Sequence, residues 1–361
     1  MKKILICLTT LALMLVTAKG VLAQGCAEPS SDGGVQVFGY IQPELDTYFT
    51  DETQVAFQFR RMRVGVMGNI PYDFGYYVLL EMSQFLNPEK SGAFLLDAFV
   101  SYNRFRDFKI AVGSFKYRFG RELSMACSGL YTIRRTKVVN ELTANLNGGN
   151  RDLGIMFLGG NDTTLVNYFV SITNGYGVLQ TENNNLLKSA MVNARVVFQP
   201  IRGLYLGASG RYGQNPASSA DVAQEDTKFR YGFDAEYRYK NFTILGEFID
   251  GEDEGSYTEG GGCDGTPVTK TGFQYADGFY LMAAYRFLGK VEPIYKFENF
   301  NTKKGELGAE GTTDAGSFCH TFGVNFYPND WTRIQANYIY ASEDPTEINN
   351  DALLVQIQVK F

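Results

Sequence analysis

The chain has 361 residues, with 33 Lys and Arg against 39 Asp and Glu, a formal net charge of −6, and only one His and one Trp beside 28 Phe, 23 Tyr and 39 Gly. Net acidity argues against a nucleic-acid binder that works through a globally basic surface, and a single imidazole leaves little for nucleophilic or acid–base catalysis. A mean hydropathy of −0.17 with this many aromatics suits strands that are apolar on one side and polar on the other.

At the amino end, Lys2 and Lys3 precede an apolar run from Ile4 to Val16, followed by small residues ending Val21-Leu22-Ala23. This is the order of a secretory signal, so residues 1–23 are read as a removed signal peptide. An anchoring helix would need about 20 apolar residues, and Thr17, Lys19 and Gly20 interrupt the run too soon. Ala23-Gln24-Gly25-Cys26 is a poor lipobox, so lipid attachment at Cys26 is not expected. Removal takes away three lysines and no carboxylate, leaving the mature chain more acidic. Residues 24–34 form a short tail, and no linker or composition break divides 35–361, which is read as one domain.

Alternating runs recur along that domain. From Lys228 to Tyr239, Phe229, Tyr231, Phe233, Ala235, Tyr237 and Tyr239 alternate with Lys228, Arg230, Gly232, Asp234, Glu236 and Arg238. Charges of both signs on one face and large aromatics on the other fit a membrane barrel better than a sandwich, whose inner faces are apolar. The same period places Ala190, Val192, Ala194, Val196 and Phe198 opposite Met191, Asn193 and Arg195, and Leu353, Val355, Ile357, Val359 and Phe361 opposite Gln356, Gln358 and Lys360. Short joints at 69–73, 104–107, 159–163, 199–203, 239–241, 287–290 and 327–330 alternate with longer polar ones at 118–150, 174–187, 213–227, 250–272, 301–316 and 341–350. Short turns on one side and long loops on the other predict an all-β, antiparallel, up-and-down transmembrane barrel of about 16 strands, its short turns periplasmic. A barrel of that size leaves an aqueous channel. In Val55 to Gly68 the apolar parity changes from Phe57 and Phe59 to Met62, Val64 and Val66, which a β-bulge or a misplaced strand would explain.

Phe59-Arg60-Arg61-Met62-Arg63-Val64, the stretch from Val112 through Lys116-Tyr117-Arg118-Phe119-Gly120-Arg121 to Glu122, and Asn150-Arg151-Asp152-Leu153-Gly154-Ile155 resemble the phosphate-selective porin O and P family of outer-membrane porins. Their order and spacing carry the resemblance, which extends over most of the mature chain to Phe361. It implies a 16-stranded barrel, commonly trimeric, whose long third loop folds into the lumen, and anion transport along basic residues. The family's dense arginine ladder and central lysine find no residue-by-residue match here, which ranks general porin function above phosphate selectivity. The resemblance also makes Phe361 the signal read during outer-membrane insertion.

The candidate pore-lining and anion-binding residues are Arg60, Arg61 and Arg63 on an early strand, Lys116, Arg118, Arg121, Arg134, Arg135 and Lys137 at the third loop, and Arg195 and Arg230 on later strands. Charges on a membrane strand should avoid lipid, where each costs about 2–4 kcal/mol at the midplane, so at least two of the early arginines should point inward. A cationic constriction with low-dielectric walls would focus its field on an anion, and guanidinium suits phosphate through charge-assisted, often bidentate bonds. The alternative is that the loop cations pair with Glu122, Glu141 and Asp152 or face water. Asp250, Glu252, Asp253, Glu254, Glu259 and Asp264 make one predicted external loop acidic, but Gly261 stands where a calcium loop needs its last carboxylate. Cys263 and Cys319 lie in or near neighbouring loops and are the pair that could form a disulfide; free thiols are the alternative. His320 shares parity with Phe322, Val324 and Phe326 and should face outward, so no catalytic residue, cofactor or metal site is expected. The expected partners are outer-membrane lipid and lipopolysaccharide, small anions such as phosphate, and two further copies of the chain in a homotrimer. A structural or adhesion barrel with a plugged lumen is the alternative function.

Overall fold

The computed structural model describes residues 34–361 except 71, 87–93, 106, 144–149, 162, 176, 179–189, 216–225, 260–267 and 304–314. The signal peptide, nearly all of the tail, Cys263 and Asp264 therefore lie outside the described residues. So does the proposed Cys263–Cys319 pairing.

Sixteen strands close into one barrel: β1 (Gln36–Phe49), β2 (Gln54–Ile70), β3 (Phe74–Glu81), β4 (Phe94–Phe105), β5 (Phe108–Lys116), β6 (Arg151–Gly159), β7 (Val166–Thr173), β8 (Met191–Ile201), β9 (Leu204–Asn215), β10 (Asp226–Tyr239), β11 (Phe242–Glu259), β12 (Val268–Tyr285), β13 (Val291–Lys303), β14 (Ala315–Phe326), β15 (Thr332–Asp344) and β16 (Asp351–Lys360). Each strand pairs antiparallel with its sequence neighbours and β16 closes on β1. Burial is inverted relative to a water-soluble protein. On β10, Phe233 is 58% exposed while Glu236 is 0% exposed, and the rest of the strand follows the same parity. The exposed aromatics touch one another along the wall: Tyr237 stacks on Tyr239 and Tyr285 meets Phe287 edge-on at the short-turn end, and Phe49 leans on Tyr338 towards the other. This is an apolar outer band with aromatic girdles around a polar interior.

The parity change in β2 is a β-bulge. Arg61 pairs with Gln42 and Phe59 with Pro43, so Arg60 is left without a cross-strand partner. The extra residue restores phase: Phe57 and Phe59 below it and Met62, Val64 and Val66 above it stay off the lumen side, while Arg61 and Arg63 are buried inside.

One expected loop is a strand pair. The acidic stretch Asp250–Glu259 continues β11 and pairs with Val268–Asp277 of β12, with Asp250 opposite Asp277 and Glu259 opposite Val268. Beyond the lipid band a strand needs no apolar face, so polarity there does not mark a loop.

Closure rests on the last strand. Gly39 N–H donates to the Phe361 carbonyl at 2.9 Å and Phe361 N–H returns the bond to Gly39 at 3.0 Å. The Phe361 ring lies where a side chain on residue 39 would begin, so Gly39 is required by close approach. Deleting Phe361 removes both bonds and uncovers Gly39. The expected result is slower and less complete folding into lipid, read as a smaller heat-modifiable folded band on gels, with unchanged conductance for the channels that do form.

Candidate functional site

The third long connection leaves β5, and its described residues 117–143 pack inside the barrel. It carries two short helices, α1 (Arg121–Ser124) and α2 (Lys137–Thr143), joined through a 3-10 turn at Cys127–Gly129. Tyr117, Phe119, Leu123, Val138, Val139 and Leu142 form a buried cluster with Phe169, Leu245, Ile249, Tyr280, Met282, Ile294 and Phe300 of the wall. The β11–β13 members of that wall set sit at lumen-facing positions, where alternation alone leads one to expect polar groups. Those apolar side chains on consecutive strands are the sequence signal for the loop's dock, and the sequence reading missed it.

Gly120, at φ 60°, starts the loop's first helix against Glu247 of β11. A Cβ there would collide with the Glu247 carboxylate. The Arg121 and Glu122 N–H groups donate to Glu247 Oε2 at 3.0 and 2.9 Å, and Tyr280 O–H donates to the same oxygen at 3.0 Å. Across the lumen, Ile133 packs on Ala352 and Leu354, and its N–H donates to Asn337 Oδ1 at 2.7 Å. Arg333 donates to the Leu130 carbonyl at 2.8 Å, and Gln335 and Asn325 donate to that of Tyr131. The loop is thus moored to opposite walls and crosses the channel.

Several predicted site residues serve this mooring. Arg134 pairs with Glu44 and with Asp46, the latter at 3.0 Å, and Arg121 Nε pairs with Glu236 at 2.6 Å. These two loop cations therefore reach carboxylates of the wall rather than Glu122, Glu141 or Asp152. Arg195 holds Asp234 with two nitrogens, at 2.5 and 2.9 Å. Arg230 pairs with Asp253 at 2.6 Å and donates to the Leu142 carbonyl at 3.0 Å. Arg118 and Lys137 each sit 5.7 Å from a ring centroid, Phe169 and Phe300 respectively. Arg60 is exposed at the bulge. Sequence reasoning passed over Lys296, which donates to Thr132 Oγ1 at 3.1 Å, and Arg211, which donates to Tyr117 O–H at 2.8 Å; their inward parity on β13 and β9 is the available clue.

The remaining candidates, Arg61, Arg63, Lys116 and Arg135, converge with Arg151 where the loop passes β1, β2 and β4–β6. Arg63 pairs with Glu81 at 2.7 Å and Arg151 with Asp97 at 3.1 Å. The other three have no carboxylate within ion-pair distance among the described residues: Arg61 donates to Gln42 Oε1 at 3.0 Å, Lys116 to the Met125 carbonyl at 2.7 Å, and Arg135 to Cys127 Sγ at 3.3 Å. A cavity of about 30 Å³ opens among Tyr40, Arg63, Asp97, Lys116, Cys127 and Arg151. Five cations stand against two carboxylates and a thiol that they push towards its charged form, an excess of positive charge in a low-dielectric wall, the condition under which an anion is attracted most strongly.

Cys127 lies inside this field and also accepts from Arg63 at 3.3 Å. Burial alone would raise its thiol, but Arg135, Arg63, Arg61 and Lys116 outweigh that and hold it well below the usual thiol range. The charged form is favoured, so the ultraviolet thiolate absorbance of the folded protein should persist to lower pH than that of a free thiol. Acidification should remove it well below pH ~8.5, the free-thiol value. The difference spectrum against Cys127→Ser isolates the signal; identical acid titrations of the two proteins would mean a neutral thiol.

The profile of the family described as phosphate-selective porin O and P matches residues 38–261. Solved structures similar in fold include the anion-selective porin from Comamonas acidovorans, at TM-score 0.69 and 11% identity over 91% of this chain and 100% of that one. The trimer form of OmpT, an outer membrane protein of Vibrio cholerae, follows at TM-score 0.65 and 13% identity over 91% and 99%. The outer membrane channel DcaP of Acinetobacter baumannii has TM-score 0.63 and 10% identity over 92% and 99%. At such identities these likenesses concern the fold alone. No curated protein matches the sequence. With a family match over more than half of its length and a closed 16-stranded barrel, the chain belongs to the phosphate-selective porin O and P family and is an outer-membrane porin.

Proposed function

We propose that this porin conducts small hydrophilic solutes by passive diffusion, prefers anions, and takes phosphate-sized oxyanions at Arg61, Lys116 and Arg135. The observation that carries this reading is the convergence of those three cations where none has a carboxylate within ion-pair distance among the described residues, beside a cavity that Lys116, Arg63 and Arg151 line. A permeating oxyanion would supply the missing negative charge through charge-assisted bonds, and its release into the wider lumen keeps transport possible. Arg118, Arg121, Arg134, Lys137, Arg195 and Arg230 add to the field while holding loop and wall in place, and Arg60 adds to it from the bulge. Transport requires no bond chemistry and no cofactor.

The same reading has residues 1–23 removed on export, residues 35–361 forming the barrel, and three copies assembling in a membrane with lipopolysaccharide. Support for the assembly comes from the trimer form of OmpT, and support for the selectivity from the anion-selective porin, both alike in fold.

Single-channel recording in a planar bilayer tests the function. Stable conductance steps and a reversal potential of anion-selective sign in a salt gradient are expected, with added phosphate reducing the chloride current. Replacing Lys116 and Arg135 together by Ala should lower the anion-to-cation permeability ratio about fivefold, corresponding to ~1 kcal/mol of lost attraction. Cation selectivity in the unaltered protein would overturn the anion reading, and a folded but silent barrel would favour the plugged alternative.

A further inference from the structure

The charges of the barrel are sorted along its axis. At the short-turn mouth, Lys109, Arg238, Arg286, Arg333 and Lys360 share the lumen-facing parity of β5, β10, β12, β15 and β16. The turn tips add exposed Arg202, Lys240 and Lys290. Among the described residues carboxylates at this end are fewer, Asp73, Asp107 and Asp330 on the turns with Glu236 and Glu292, and the last two are already engaged by Arg238 and Arg286. Among the described residues the opposite mouth is acidic. Asp51, Glu52, Asp344 and Glu347 are exposed on its rim, and none of the four enters an ion pair among the described residues. Asp250, Glu252 and Glu254 lie on the β11–β12 extension that rises above the lipid band at the same end. Between the two mouths lie the basic cluster already described and the paired charges of loop and wall, so the two mouths differ in sign.

We infer that the pore is a rectifier, passing more current when the extracellular side is positive than when it is negative. An acidic outer mouth enriches cations and a basic inner mouth enriches anions, each from its own compartment. An outside-positive voltage drives both populations towards the middle of the pore, where they accumulate and conduct. The opposite voltage pulls both away and depletes the middle. The inference rests on the lumen being a conducting pore, and it adds a direction that the anion preference alone does not imply. For anions, the favoured direction under voltage is outward from the periplasmic side.

The test uses the full mature protein in planar bilayers, with single channels inserted from one compartment in symmetric KCl. At 0.1 M salt the ratio of currents at equal and opposite voltages should be about two to three, the factor by which a mouth potential of roughly 1 kT alters local ion concentration. At 1 M the ratio should fall towards one, because the screening length shrinks from about 10 Å to about 3 Å. The triple variant Arg202→Ser, Lys240→Asn and Lys290→Ser changes exposed turn positions only; it should fold, conduct, and lose at least half of the excess over one. A conducting channel with equal currents at 0.1 M, a larger current with the extracellular side negative, or an unchanged ratio in the triple variant would each overturn the rectifier. A folded barrel with no conductance at all would overturn the pore reading itself, and the rectifier with it.

Discussion

A strand in lipid cannot leave its backbone donors and acceptors unpaired, and this constraint governs the molecule. With no water to satisfy an open edge, the sheet must close, and the bond pair between Gly39 and Phe361 completes the seam between β1 and β16. Closure then dictates the rest. Each strand has one face for lipid and one for the lumen, so a slip of one residue would turn arginines outward. The bulge at Arg60 keeps β2 in phase while letting Arg61 and Arg63 stay inside.

A barrel of sixteen strands encloses more space than its side chains fill, and the third loop occupies it. Its attachment is chemically two-sided. Against β11–β13 it buries apolar surface beside a carboxylate that receives two backbone N–H groups. Against β14–β16 and β1 it uses carbonyl acceptors, Asn337 and the Arg134 ion pairs. Removing one member of a buried pair typically costs about 3–5 kcal/mol, because the partner charge is left uncompensated. Most lumen cations are therefore committed to holding structure, and the net field depends on the few that are not.

That division separates cations that look alike in the sequence. Arg134 and Arg135 are neighbours in the chain, yet one meets Glu44 and Asp46 and the other meets a thiol. Arg61 and Arg63 share a face, yet only Arg63 has a carboxylate opposite. Lys116 ends its strand against a loop carbonyl. Cys127, unremarkable in the sequence, is pushed towards its charged form because four cations arrive from three different segments. Likewise the acidic β11–β12 extension reads as loop until its partner strand is in view.

Period-two alternation and the long–short rhythm of joints were enough to determine the barrel, its strand number and the lipid side of its clearly alternating strands, while the third loop's place in the lumen was implied by the family resemblance. The first three follow from local rules: side chains alternate along a strand, and a closed antiparallel sheet needs tight turns at one end. His320 beside Phe322 and Val324 could be placed on the outer wall on the same basis, where it meets Tyr295. Which cations bind wall carboxylates and which remain for a solute was decided only by tertiary structure. The partners lie far apart in the chain, Arg134 reaching Asp46 across 88 positions and Lys296 reaching Thr132 across 164. Electrostatic neutralisation depends on distance in space, and that distance exists only once the barrel has closed and the loop has folded into it.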